Sequence, residues 1–278
     1  MRHYILLLTI LVLTNSCSLL SSSNNKSDNS SGGSGLDLNL FPVSKDKELG
    51  AQVATEIGKD PKTYPVLDEV KYAAAYTHIR RITNKILNSG QVEHKNDFTW
   101  TVKIIHDDKT LNAFCTPGGY IYVYTGIIKY LDSEDALAGV MGHEIAHADK
   151  RHSTESMTRE YGVSTLLSMI SGQGTTAQLI GLAKNLSDLK YSRTHETEAD
   201  KYSVLYLSGT NYRCNGAASF FEKIQASGGA STPEFLSTHP DPGNRVQNIN
   251  SQATAKGCNT KIAATDANYT DFKKSLPQ

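Results

Sequence analysis

No sign of charge dominates this chain: Lys plus Arg equal Asp plus Glu at 28 each across 278 residues, and no basic cluster stands out. A phosphate backbone is held by a basic patch, so nucleic acid is not among the expected partners. Long apolar runs are missing near the start as well. The run from Tyr4 to Leu13 falls well short of the roughly 20 apolar residues that a membrane-spanning helix needs. No repeat period emerges, which excludes a solenoid or an appended array. Cysteine is sparse, with four residues in all: Cys17, Cys115, Cys214 and Cys258.

What is present at the start is a weakly basic Met1-Arg2-His3, the short apolar run, and then Thr14-Asn15-Ser16-Cys17. This pattern resembles a bacterial lipoprotein signal, with residues 1–16 removed and Cys17 lipidated; plain secretion into the periplasm is the alternative. Residues 17–35 turn to Ser, Asn and Gly with no apolar face to bury, as expected of a flexible tether. Residues 36–278, about 240 in number, suffice for one core. The expectation is a single domain held by lipid at a membrane, facing the periplasm, with the outer membrane favoured.

Helical periodicity covers 44–58, 67–88, 133–160, 176–189, 193–208 and 214–227, and strand patterns cover 98–105, 112–116 and 119–125. The fold class read from this is α+β, predominantly α-helical, with a small β-sheet. Ser171 to Thr175 breaks the helical region, as either a loop over a cleft or a plain linker.

The chemistry is concentrated in His143-Glu144-Ile145-Ala146-His147. Asp132 and Ser133 offer helix caps, and Glu134 and Asp135 put negative charge in the first turn. On that helix the two histidines, four apart, share a face and can aim at one zinc ion, while Glu144 sits beside it as a general base. Gly139 and Gly142 lower helix propensity by about 1 kcal/mol each, a cost that makes sense where another backbone packs closely.

A hydrolytic zinc site needs a third protein ligand. Lys150 and Ser153 stand where the metzincin pattern has Gly and His, so that class is excluded. His152, five residues beyond His147, lies off the metal-facing side of a continuous helix and reads as a surface or capping residue. Glu196 and Asp200, four apart on the next helical segment, share a face, whereas Glu198 points away from both. Glu196 is therefore the candidate third ligand, and Asp200 the carboxylate that orients a ligating histidine.

These residues, with Asn112 to Tyr124 before the helix and Thr238 to Arg245 after it, resemble zinc metallopeptidase family M48, the group of the HtpX, Oma and CAAX-prenyl proteases. The likeness spans roughly residues 40 to 250, with four motifs in the family's order; Cys115 departs from the small apolar residue usual there. The resemblance implies a zincin-like domain holding one Zn2+ through His143, His147 and Glu196, with Glu144 as base and Asp200 in support. It also suggests that Gly119, Tyr120, Ile121 and Tyr122 form an edge strand that pairs with substrate backbone. The bare alternation of Tyr120, Tyr122 and Tyr124 with Ile121 and Val123 reads equally as a half-buried strand.

His239 and Arg245 flank a turn with Pro240, Pro242 and Gly243, and either brings a donor or cation to the site or serves a rigid connection. His239 has two opposite roles open: donor to a developing oxyanion, or a fourth zinc ligand that holds the enzyme latent. In an oxidising compartment Cys214 and Cys258 are expected to pair, leaving Cys115 a buried thiol. The function read from all this is a zinc endopeptidase of the bacterial cell envelope, and the substrates that the resemblance implies are unfolded or misassembled envelope polypeptides. The alternative is a client-binding lipoprotein that keeps the fold without cutting.

Overall fold

A computed structural model describes residues 41–278 except 187–188, 228–233, 242 and 262–266, and the described part lies in one compact unit beginning at Asn39. The signal, Cys17, the tether and Pro242 lie outside the described residues. The elements are α1 (Val43–Gly58), α2 (Ala73–Leu87), β1 (Thr101–Ile105), β2 (Ala113–Thr116), β3 (Tyr120–Tyr124), α3 (Thr125–Tyr130), α4 (Glu134–Asp149) and α5 (His152–Tyr161). They continue as α6 (Val163–Ile170), α7 (Thr176–Asn185), α8 (Arg193–Ser208), α9 (Gly216–Ala226), α10 (Glu234–Thr238), α11 (Arg245–Lys256) and α12 (Ala267–Lys274). The class is α+β and mainly helical. Among the described residues no helix is long and apolar enough to cross a membrane.

The sheet corrects the sequence reading of the tyrosine strand. Its order is β1-β3-β2, with β1 parallel and β2 antiparallel to β3. Tyr120 pairs with Thr101 on one side and Thr116 on the other, and Ile121 with Val102 and Cys115. Both hydrogen-bonding edges of β3 are thus filled, so Tyr120, Ile121 and Tyr122 are not an edge for substrate, and Gly119 lies in the Pro117–Gly119 turn before the strand. Both faces are covered too, as is usual where a parallel pair is flanked by helices. Val102, Ile104, Cys115, Ile121 and Val123 enter one apolar cluster; Ile105, Phe114, Tyr122 and Tyr124 enter a second on the opposite face. Phe114 and Tyr122 stack at 4.8 Å there.

Helix α4 begins where Ser133 accepts the N–H of Ala136. Its glycines are explained by close neighbours: a Cβ on Gly139 would lie 2.0 Å from the Ala217 nitrogen of α9, and one on Gly142 would lie 2.8 Å from Ser203 Oγ of α8. The helix expected over 133–160 is in fact two. Arg151 turns left-handed at φ 62° between α4 and α5, a conformation that costs a non-glycine residue about 1–3 kcal/mol. Its guanidinium is anchored on buried Asp46 of α1, with Nε 2.6 Å from Oδ2, and it also donates to the Phe41 carbonyl. Similarly, α2 starts later than its periodicity suggests, because the Asp68 carboxylate takes the N–H groups of Val70 and Lys71 in a turn.

The segment Ser171 to Thr175 is a connection between α6 and α7, with Thr175 and Gln178 forming a capping box. At the C-terminal side, Cys214 and Cys258 are joined across 44 residues, tying the start of α9 to the end of α11.

Candidate metal centre

Helix α4 presents His143 and His147 on one face, and α8 crosses it to bring Glu196 against both. The two Nε2 atoms are 2.9 Å apart; Glu196 Oε2 is 3.4 Å from His143 Nε2, and Oε1 is 3.3 Å from His147 Nε2. Donors bound at about 2.0–2.1 Å at the corners of a tetrahedron sit about 3.3 Å apart, so these spacings suit a zinc ion. His239, after α10, supplies a fourth atom, and all four candidate ligand atoms lie within 4.8 Å of one another and are buried. Both Glu196 oxygens, His239 Nε2 and both Glu144 oxygens have no hydrogen-bond partner in the protein. Buried acceptors are rarely left so, and a cation among them accounts for the arrangement.

Each candidate ligand is oriented from behind. His143 Nδ1 is 2.9 Å from Asp200 Oδ1, and Asp200 is gripped by Arg245 through Nε at 2.9 Å and Nη2 at 2.6 Å. Arg245 Nη1 also lies 3.1 Å from Glu196 Oε2. All of these contacts are with the ligand shell and its support, which corrects the expectation that Arg245 reaches toward the reaction: it braces Asp200 and Glu196. His147 Nδ1 meets Nδ1 of His152 at 3.0 Å, and its ring stacks on Tyr191 at 3.8 Å. His239 Nδ1 is 3.2 Å from the Phe235 carbonyl. The same nitrogen is 2.8 Å from Thr238 Oγ1, and Nε2 faces the cluster.

The charges reinforce one another. Burial disfavours the cationic ring of His143, yet the neighbouring carboxylates of Asp200 and Glu196 outweigh it and raise its pKa to about 9. Burial and neighbouring His143 push His147 the other way, well below the usual range. Burial also works against the anions, but His239, His143 and His147 hold Glu196 well below the carboxylate range, and Arg245 with His143 lowers Asp200. Burial raises the Cys115 thiol, which meets Ser153 Oγ at 3.2 Å in the layer behind Tyr191.

Sequence reasoning misplaced His152, which is buried under His147 and not at the surface. It overlooked Tyr191 and Phe235, whose ring stacks on His239 at 4.1 Å. Tyr191 stands five residues before Glu196 in the sequence, a cue that was available. His152 offered none, because its place depends on the left-handed turn at Arg151. Glu198, expected to point away from Glu196 and Asp200, lies on His152, with Oε2 3.3 Å from its Nε2.

Two histidines from one helix and a glutamate from a second, with a further glutamate between the histidines, define a metallopeptidase of the zincin class. The chain belongs to peptidase family M48, whose family model matches residues 73–253. It is similar to the mitochondrial metalloendopeptidase OMA1 of Schizosaccharomyces pombe, 31% identical over 182 residues, covering 64% of this chain and 53% of the relative. The Arabidopsis thaliana protein of the same name is 33% identical over 148 residues, 53% of this chain and 30% of the relative. The beta-barrel assembly-enhancing protease of Escherichia coli K12 is 30% identical over 164 residues, 54% of this chain and 34% of the relative. The chain thus spans between about a third and a half of the length of these relatives.

Proposed function

We propose that the chain is a zinc-dependent endopeptidase of the bacterial cell envelope that hydrolyses unfolded or misassembled envelope polypeptides. It is tethered through lipid on Cys17 and faces the periplasm, with the outer membrane as the favoured location. The observation that carries the catalytic part is Glu144, fully buried with no hydrogen-bond partner and next in sequence to His143, whose cluster with His147, Glu196 and His239 could hold a cation. The substrate class and compartment draw support from the relative named a beta-barrel assembly-enhancing protease and from the lipoprotein-like start.

His143, His147 and Glu196 are the proposed zinc ligands. Zinc held there supplies Lewis acidity toward the scissile carbonyl and makes a water more acidic. Glu144 accepts the proton of the attacking water and returns it to the departing amine. Asp200 and Arg245 keep His143 and Glu196 in place. His239 Nε2 lies 3.4 Å from Glu144 Oε1. His239, buried beside these groups, either completes the ligand set in a latent form or donates to the oxyanion.

Casein digestion by the purified protein tests the proposal. Digestion is expected to stop with a chelator, return with zinc, and be absent from Glu144→Gln. Digestion that ignores the chelator, or that survives in Glu144→Gln, contradicts it.

A further inference from the structure

His143 and His147 are supported in different ways. Behind His143 stands a carboxylate, Asp200. Behind His147 stands another imidazole, and beyond that imidazole, at 3.3 Å from its Nε2, the Glu198 carboxylate. We propose that His152 is a positioning residue for His147, with Glu198 fixing its tautomer, so that the three form a relay leading to the metal. The inference rests on the metal-centre reading only in taking His147 as a ligand.

The hydrogens can be counted. A histidine that offers Nε2 to a cation carries its hydrogen on Nδ1. The contact between the Nδ1 atoms of His147 and His152 then requires a lone pair on His152, so the hydrogen of that ring is on Nε2. That N–H points at Glu198 Oε2, which can only accept. Each donor meets one acceptor, and only one tautomer of each ring satisfies the chain.

The plane of His152 is fixed by packing as well. It is buried, and it stacks on His195 at 4.3 Å with 9° between the rings, while His195 Nε2 contacts Glu155 Oε2 at 3.1 Å. The turn at Arg151 makes the placement. In a continuous helix a residue five positions on is rotated well away from His147, and the Asp46–Arg151 anchor brings it back beneath that ring. A side chain needed only to fill space would not require a lone pair aimed at a ligand.

The test compares His152→Asn, whose Oδ1 can replace Nδ1 as acceptor, with His152→Phe, which fills space without one. Zinc affinity is read by competition with a chromophoric chelator, and ligand geometry by the visible spectrum of the cobalt-substituted protein. His152→Phe is expected to bind zinc about 10–100-fold more weakly and to shift the cobalt bands, with His152→Asn staying within about threefold of the parent. Glu198→Ala, at a partly exposed position, is expected to lose affinity in the same direction but by less than about tenfold. A His152→Phe protein that holds zinc as tightly as the parent overturns the proposal. So does His152→Asn falling as far as His152→Phe, which would make the role one of packing. If His152→Phe does not fold, unchanged affinity and spectrum in Glu198→Ala overturn the relay. A parent protein that binds zinc yet digests no casein defeats the proposed function and leaves this inference standing.

Discussion

The four candidate ligands rest on two very different supports. His143, His147 and Glu196 belong to α4 and α8, each 16 residues long and locked together where Gly139 and Gly142 admit α9 and Ser203. His239 follows α10, a helix of five residues, which is too short to be stable through its own backbone hydrogen bonds. That segment is held by the Phe235 N–H on the Leu111 carbonyl, the Tyr191 N–H on the Thr238 carbonyl, and the Phe235 ring. The contrast sets three candidate ligands on long, packed helices against a fourth on a short segment, and substitutions on the two sides probe different roles.

The largest effect is expected on the frame side. Glu144→Gln should lower peptidase activity by about 10²–10⁴-fold, since the amide cannot accept a proton, while zinc content stays at that of the parent. Metal analysis beside a protease assay separates the two quantities; loss of zinc together with activity would mean that Glu144 shapes the site and is not its base. On the ligand set, Glu196→Ala should strip zinc far more than Glu198→Ala, and the reverse order would show that α8 is misassigned.

Next come the fastenings of the frame. Closing a 44-residue separation by a disulfide contributes about 4 kcal/mol in the chain-entropy model, an upper-end figure. Replacing Cys214 and Cys258 by Ser should lower the denaturation midpoint accordingly, and an unchanged midpoint would remove the bridge from the account. Gly139→Val should cost about 1–3 kcal/mol by overpacking against Ala217, read in the same unfolding experiment. A tolerated valine would mean that α4 and α9 are less tightly joined than the contact at Ala217 indicates.

The remaining substitution is on the α10 side, where the direction of the change matters more than its size. If His239 closes the fourth position, His239→Ala should raise the proteolytic rate per bound zinc, each tenfold corresponding to about 1.4 kcal/mol of bias toward the closed form. If it instead donates to the oxyanion, the same substitution should slow the enzyme by about 10²-fold or more. The sign of the change therefore distinguishes a latch from a catalytic donor.

The same division explains what the sequence disclosed. The spacing of His143 with His147 and of Glu196 with Asp200 is a property of single helices, and α8 spans the same residues, 193–208, as its periodicity. Relations between distant segments were harder to read. Whether β3 is central or at an edge depends on β1 arriving parallel to it, which the alternation of Tyr120 to Tyr124 does not encode. The break at Arg151 depends on Asp46, over a hundred residues earlier. α10 and α11 carry few apolar residues, with Phe235, Ile249 and Ala253 among those buried, so no strong period announced them. Arg245 was noticed as a functional candidate, but its position behind Asp200 followed only from the packing of α11 on α8.

The frame itself is tested most directly by a crystal structure of the zinc-loaded protein with diffraction recorded on both sides of the zinc absorption edge. The account calls for one anomalous peak about 2.0–2.2 Å from Nε2 of His143, Nε2 of His147 and a carboxylate oxygen of Glu196. A peak lying elsewhere, or no peak in protein shown to carry zinc in the crystal, would contradict it.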